Sequence, residues 1–144
     1  MERPLRRDAQ RTGVEIVTIE LLPMEFTVCQ VSRISEAVLA EPFSFFARTD
    51  EELSLVCPSG KAPPEAEKAE RGWRCLRVAG HLDFSLIGIL AGIASCLAQA
   101  RIPIYAVSTY NTDYVLVQIL HEKAALQALK AAGYDILLPV HIIG

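Results

Sequence analysis

The chain has 144 residues, of which 51% are hydrophobic and 22% are charged, and this composition excludes an intrinsically disordered chain. Its length suits one compact domain, or two small lobes that share a core. The formal net charge of -3 gives no reason to expect a nucleic-acid partner.

The cysteines and the apolar segments predict a cytoplasmic protein without membrane contact. The four cysteines form no CxxC pair and have no histidine at ligand spacing, so buried free thiols are favoured over a metal site or disulfides. The N-terminus lacks the apolar core of a signal peptide. The apolar segment 85–100 is shorter than the ~20 residues that span a bilayer. The cysteines are Cys29, Cys57, Cys75 and Cys96.

The N-terminal part begins with a polar arm and continues into strands. Residues 1–13 contain four arginines and almost no apolar side chains, which predicts a flexible arm, with a basic docking tail as the alternative. From Val14 the apolar residues alternate at period two, which is typical of strands. Pro23 cannot donate a ladder hydrogen bond, so it should separate two strands or mark a bend.

The next elements are short. Residues 32–42 allow one or two helical turns, and residues 43–57 predict a hairpin whose turn lies at 49–52. Residues 58–72, rich in Pro, Glu and Lys, predict a surface connection in which residues 65–70 could form one helical turn.

We place the lobe boundary at that connection. The resulting division is a flexible arm at 1–13, an N-terminal lobe with its linker at 14–71 and a C-terminal domain at 72–144.

The C-terminal part is organised around a predicted helix. After a strand at 72–80, Asp83 or Ser85 should cap a helix of 16 residues. One face of this helix carries Leu86, Leu90, Ile93 and Leu97, which should cover a sheet. A second stripe of small residues consists of Gly88, Gly92 and Ser95. Two glycines in a helix interior indicate either tight packing against a neighbouring element or close approach of a ligand.

The remaining elements complete a βαββαβ order. Two alternating runs, 102–109 and 113–118, predict a second hairpin. Residues 122–132 predict a helix that ends at Gly133, which suits a left-handed C-terminal cap, and residues 134–140 predict a last strand. This order is typical of an α+β, ferredoxin-like fold with both helices on one face of an antiparallel sheet.

The two halves of the chain also resemble each other. Aligning residues 53–56 with 114–117 places Glu52 opposite Asp113. A repeat of this kind predicts that the first lobe is a copy of the second with reduced helices, although the match is short enough for coincidence.

Two sequence phrases and the glycine-bearing helix carry a family resemblance. FFARTDEELSLVCP and STYNTDYVLV resemble the ACT domain, a small-molecule-binding regulatory module. They are most similar to compact bacterial tandem-ACT proteins and to the CASTOR family of cytosolic arginine sensors. The resemblance implies two ACT lobes, dimerisation, and an amino acid held at a lobe interface, at residues that in this chain are Asp83, Ser85, Gly88, Thr109, Tyr110, Asn111 and Asp113.

The residue types at these positions suit a zwitterionic ligand. A helix N-terminus offers free N–H donors to a carboxylate, Asp113 can bind an ammonium group, and Tyr110 could form an aromatic wall. Asp113 could equally be only a turn residue, and Ser85 only a helix cap. Leu86 stands where the arginine sensors are expected to carry an acidic residue, which argues against arginine and leaves smaller or apolar amino acids open.

Nothing in the sequence indicates catalysis, a cofactor or a metal. There is no nucleophile elbow, phosphate loop or paired metal-ligand motif, and the three histidines are far apart, as expected for surface residues. Two classes of function remain. The first is a sensor module that passes an amino-acid signal to a protein partner. The second binds no small ligand and is either a dimerising interaction or structural domain, or a detached regulatory subunit of a larger enzyme.

Overall fold

The computed structural model describes residues 16–79 and 88–140. It divides into two compact units: unit 1 comprises Met1–Pro23 and Cys75–Gly144, and unit 2 comprises Met24–Arg74. The boundary near residue 74 lies close to the predicted one, but the described residues before Met24 group with the C-terminal part and not with the first lobe. The assignment of residues 14–71 and 72–144 to two separate lobes stays a prediction.

The described residues form seven strands and three α-helices. Two short 3₁₀ helices, Ser59–Lys61 and Ile119–His121, follow the two hairpins. The other elements are β1 Thr18–Gln30, α1 Glu36–Leu39, β2 Phe45–Arg48, β3 Leu53–Pro58, β4 Lys68–Val78, α2 Ile89–Gln99, β5 Tyr105–Ser108, β6 Asp113–Gln118, α3 Glu122–Ala131 and β7 Asp135–Leu137. None of the helices in the described ranges is long and apolar enough to cross a membrane.

Unit 1 has the order β4-α2-β5-β6-α3-β7 and is completed by the first half of β1. Its strands lie in the order β7-β1-β4-β6-β5, with β5 antiparallel to β6 and β7 parallel to β1. Ile93 and Leu97 of α2 and Leu129 of α3 are buried in one core with side chains of the sheet. Burying each such side chain contributes about 1.5–3 kcal/mol. This arrangement confirms the predicted α+β, ferredoxin-like class.

The central helix is shorter than predicted. It begins at Ile89 and has 11 residues, with Gly88 as its N-cap. Gly88 has a φ of 84°, a left-handed conformation that an α-helix interior does not contain, so the predicted helix of 16 residues is wrong. The predicted caps Asp83 and Ser85 lie outside the described residues.

Two other glycines in unit 1 have the predicted roles. A Cβ atom added at Gly92 would lie 2.9 Å from the Tyr134 hydroxyl oxygen, so the small residue permits the tight packing that was one of the two expectations. Gly133 follows α3 with a φ of 102°, which confirms the left-handed helix end.

Unit 2 contains the second half of β1, the hairpin β2–β3, the short helix α1 and the first part of β4. Its strands lie in the order β2-β3-β1-β4. Val38 of α1 packs in a separate core with Leu55 and Cys57 of β3. The Ser35 hydroxyl caps α1 by accepting a hydrogen bond from the Val38 N–H at 3.2 Å, so the segment 32–42 forms one helical turn, as predicted.

The connection after β3 departs from its prediction. Residues 65–70 do not form a helical turn; Lys68–Glu70 already belong to β4. The Glu67 N–H donates to the Gln30 carbonyl at 2.9 Å, so pairing with β1 prevails over the helix-favouring composition. The surface connection is therefore shorter than the predicted 58–72.

The resemblance between the halves is real, but its predicted alignment is wrong by one residue. The bounds of β2 and β5, and those of β3 and β6, differ by 60 positions. In both hairpin turns a threonine N–H donates at 2.9 Å to the carbonyl three residues later, from Thr49 to Glu52 and from Thr109 to Thr112. The structural counterpart of Asp113 is therefore Leu53, and not Glu52.

Pro23 does not interrupt β1, which is one strand of 13 residues. Leu21 and Leu22 are both buried and Pro23 is exposed, so the alternation of buried and exposed side chains breaks beside the proline. Of the two predicted outcomes, separation into two strands is therefore wrong. An exposed position is one that a proline without an N–H donor can occupy within a strand.

Candidate functional site

The turn between β5 and β6 is the polar part of the predicted site, and its own hydrogen bonds fix its shape. The Thr109 hydroxyl donates to the Thr112 carbonyl at 3.0 Å and accepts from the Thr112 N–H at 3.4 Å. Tyr110 and Asn111 occupy the tip and are exposed, Tyr110 by 83%. Three of the predicted residues, Thr109, Tyr110 and Asn111, therefore lie side by side on a closed turn.

Thr112 is a residue that the sequence reasoning missed. Its side chain is buried, with 4% of the residue exposed, and its hydroxyl donates to the Val78 carbonyl at 2.7 Å. A buried hydroxyl without a partner would cost about 1–3 kcal/mol, so this bond ties the turn to the end of β4. The only available signal was a threonine at the last position of a polar turn.

Asp113 begins β6 directly opposite Ser108 of β5. The Ser108 hydroxyl donates to Asp113 Oδ1 at 2.6 Å, and the carboxylate is half-buried. This bond orients the carboxylate. A ligand-binding residue requires such a fixed orientation, but a residue that only stabilises the turn would show it as well. Ser108 was not predicted, although its position across the turn from Asp113 could have indicated the pair.

Gly88 lies at the start of α2, where the sequence predicted one side of a ligand site. Its carbonyl accepts the first helical hydrogen bond, from the Gly92 N–H at 2.8 Å. The N–H groups of residues 89–91 therefore have no acceptor within α2 and lie at the positive end of the helix dipole. A Cβ atom at Gly88 would meet nothing within 4 Å, so the surroundings of this residue are open.

The predicted site residues thus have different outcomes. The structure brings Thr109, Tyr110, Asn111 and Asp113 together in one hairpin of unit 1, anchored at Val78. Among the described hydrogen bonds, Gly88 bonds within α2 and not to the turn. Asp83 and Ser85 lie outside the described residues.

The cysteines do not supply reactive groups. Cys29, Cys57 and Cys75 are buried and Cys96 is half-buried, which confirms the predicted placement of the thiols. Burial raises the pKa of Cys57 to about 11 and that of Cys75 to about 12, so both remain protonated and unreactive at neutral pH. Within the described part of the chain, no three His, Cys, Asp or Glu side chains are placed to hold a metal ion.

The fold is that of a ferredoxin-like α+β domain, and the Thr112 side chain ties its polar turn between β5 and β6 to the end of β4. A family model described as "ACT domain" matches residues 68–131, which run from β4 to the end of α3. Residues 68–131 are therefore similar to an ACT domain, which confirms for this part of the chain the ACT resemblance seen in the sequence.

Solved structures extend the similarity over almost the whole chain. A protein from Agrobacterium tumefaciens is 27% identical, with a TM-score of 0.79 over 91% of this chain and 99% of its own. A Vibrio cholerae protein of unknown function is 25% identical, with a TM-score of 0.64 over 81% and 90%. The regulatory subunit of aspartate kinase from Thermus thermophilus, in a ligand-free form, is 13% identical, with a TM-score of 0.58 over 82% and 99%. At that identity the last likeness concerns the fold alone.

Proposed function

We propose that this chain is a non-catalytic regulatory module that binds a free amino acid or a similar small zwitterion in unit 1. The regulatory role is supported by the ACT family model and by the aspartate kinase regulatory subunit that shares the fold. The ligand would lie between the start of α2, with Asp83, Ser85 and Gly88, and the turn from Thr109 to Asp113. The signal would pass to a protein partner.

The observation that carries the proposal is the bond from Thr112 to Val78. It fixes the polar turn at the end of β4, two residues before residue 80, where the segment that leads to α2 begins. A ligand site built from that segment and the turn would therefore have one of its two sides held in a defined position. Such preorganisation lowers the entropic cost of binding.

The bound zwitterion would use both of its charges. Its carboxylate would accept hydrogen bonds from N–H groups before and at the start of α2, including those of residues 89–91. Its ammonium group would bind the carboxylate of Asp113, which Ser108 already orients. A charge-assisted bond of this kind contributes about 1.5–3 kcal/mol. The apolar Leu86 favours a small or apolar amino acid over arginine.

The test is calorimetric titration of the full chain with each amino acid, after a thermal-shift screen. Asp113→Ala should weaken binding of the best ligand about ten- to a hundredfold, because the ammonium group loses its partner. Asp135→Ala, which changes an exposed carboxylate in β7 of the same unit, is the matched control and should leave affinity unchanged. Equal affinities of wild type and Asp113→Ala would refute the site.

We also propose a homodimer in the cytoplasm, since open edge strands, here the four-residue strands β2 and β5, can be covered by pairing with a second copy. Light scattering at tens of micromolar, a range in which weak oligomers dissociate, should give twice the mass of the chain. A monomer under those conditions would contradict the dimer.

The second candidate is an interaction domain that binds no small ligand. It is favoured by exposed apolar side chains at the C-terminal end of unit 1: Leu137, Leu138 and Val140. Such residues are typical of surfaces that contact another chain. A screen in which none of the amino acids shifts the melting temperature of a well-folded sample would favour this function over the first.

A further inference from the structure

Unit 2 has a surface groove of about 340 Å³, a volume within the range of small-ligand pockets. Two segments line it: residues 33–38, which run into α1, and residues 60–65, which follow β3. All of them belong to unit 2. The groove therefore shares no residue with the turn of unit 1. Whether the groove binds a ligand does not depend on the function proposed for that turn.

The internal repeat explains why the groove exists. The counterparts of the two lining segments, 60 positions later in unit 1, are residues of α2 and of the turn that begins α3. There the two helices pack closely, with the Cys96 thiol donating to the Ala128 carbonyl at 3.4 Å. In unit 2 only nine residues, 59–67, separate β3 from β4, whereas 16 residues, 119–134, separate β6 from β7 in unit 1, so unit 2 has no room for a helix as long as α3. The described part of unit 2 contains no counterpart of α3, and the space beside α1 is open.

The groove carries more positive than negative charge. Arg33 and Lys61 line it, and Glu65 is its acidic residue. Lys61 Nζ lies 3.9 Å from Glu41 Oε1, with the lysine side chain 60% exposed, and a pair at this distance and exposure contributes at most about 1 kcal/mol. Arg33 is exposed and has no hydrogen bond or ion pair with any of the described residues. Its guanidinium is therefore available to a ligand.

The other lining groups suit a small ligand more than a flat surface contact. Val38 forms a buried apolar base. The Ser35 hydroxyl accepts from the Val38 N–H, which leaves its own hydrogen free to donate to an acceptor in the groove. A pocket with an apolar base and a few converging polar donors is the usual form of a small-molecule site.

We propose that this groove binds a small organic anion, through the Arg33 guanidinium and the Lys61 ammonium group. The donors of a guanidinium match both a carboxylate and a phosphate group, so these are the two chemistries that the groove can accept. The Ser35 hydroxyl would supply a third hydrogen bond. The chain would then have a second ligand site, in the unit whose second helix is missing.

The experiment is a titration of the ¹⁵N-labelled full chain, followed by amide chemical shifts, with succinate in one arm and inorganic phosphate in the other. Saturable shifts should be confined to the amides of residues 33–38, 60–62 and 65. The probe with the lower Kd shows whether the groove prefers a carboxylate or a phosphate group. Arg33→Ala should weaken the better probe about tenfold and Lys61→Gln somewhat less, because each removes a charge-assisted bond. Arg48→Ala removes an exposed arginine from β2 of the same unit and should leave the Kd unchanged.

Two further variants distinguish a specific site from general charge effects. Glu65→Gln removes the negative charge of the groove and should lower the Kd of the probe several-fold. A variant whose folding was disrupted would not bind more tightly. Asp113→Ala, in unit 1, should not alter it. The proposal is overturned if neither probe gives saturable shifts at millimolar concentration, or if Arg48→Ala weakens binding as much as Arg33→Ala.

Discussion

The bond from Thr112 to Val78 makes a quantitative prediction about stability. Thr112→Val keeps the shape of the side chain but removes the hydroxyl that donates at 2.7 Å to the Val78 carbonyl. Because the residue is 4% exposed, water cannot easily replace the lost donor. The free energy of unfolding should fall by about 1–3 kcal/mol, the cost of leaving a buried partner unsatisfied. For a chain of this size, that corresponds to a fall in melting temperature of roughly 2–12 °C.

Urea denaturation followed by circular dichroism measures this difference as a change in midpoint at constant slope. Thr112→Ser is the matched control, because it keeps the hydroxyl and loses only a methyl group, at about 1 kcal/mol. Amide exchange at residues 109–113 should also become faster in Thr112→Val, since the turn loses its anchor to β4. A valine variant as stable as wild type, or less destabilised than the serine variant, would refute the tether.

Two other predictions concern the interior of unit 1. In a Tyr134→Phe background, Gly92→Ala should raise the free energy of unfolding by about 1 kcal/mol, because alanine has the higher helix propensity. In wild type the Tyr134 hydroxyl lies 2.9 Å from the added Cβ and should remove that gain. Equal effects in both backgrounds would contradict the close contact. Burial raises the pKa of Cys75 from 9.0 to about 12. The unfolded chain therefore loses this proton at a lower pH than the folded chain, and the free energy of unfolding should fall as pH rises from 9 to 12. Urea titrations should show a shallower decline in Cys75→Ala, and an identical decline would contradict the pKa shift.

The hairpins were predictable because their signals are local. Alternating side chains on both sides of a polar turn determine β2–β3 and β5–β6; the structure places the first turn at the predicted 49–52, and the second turn begins at Thr109, which was predicted to end a strand. The end of α3 was predictable for the same reason, since Gly133 supplies the left-handed residue that the helix end requires. The paired residues of these hairpins are at most 11 positions apart.

Features that depend on distant residues were missed. The Thr112 hydroxyl bonds to a carbonyl 34 positions earlier, and no periodicity in the sequence indicates that pair. The start of β4 at Lys68 follows from pairing with β1, which overrides a composition suited to a helix. The start of α2 was missed because a glycine in an apolar run is compatible with a helix interior, and only its backbone conformation shows that the helix begins after it.

The two units differ most where their first strand joins their first helix. In unit 2, Leu39 at the end of α1 follows Gln30 at the end of β1 by nine positions, whereas in unit 1 Gln99 follows Val78 by 21. The additional residues in unit 1 lengthen the helix and form the segment between β4 and α2, to which the amino-acid site is assigned. In unit 2 the corresponding segment is shorter, and no helix corresponds to α3, which leaves a groove at another place. The two proposals therefore assign two different sites to one repeated fold, one beside a turn with an oriented carboxylate and the other lined by two cations.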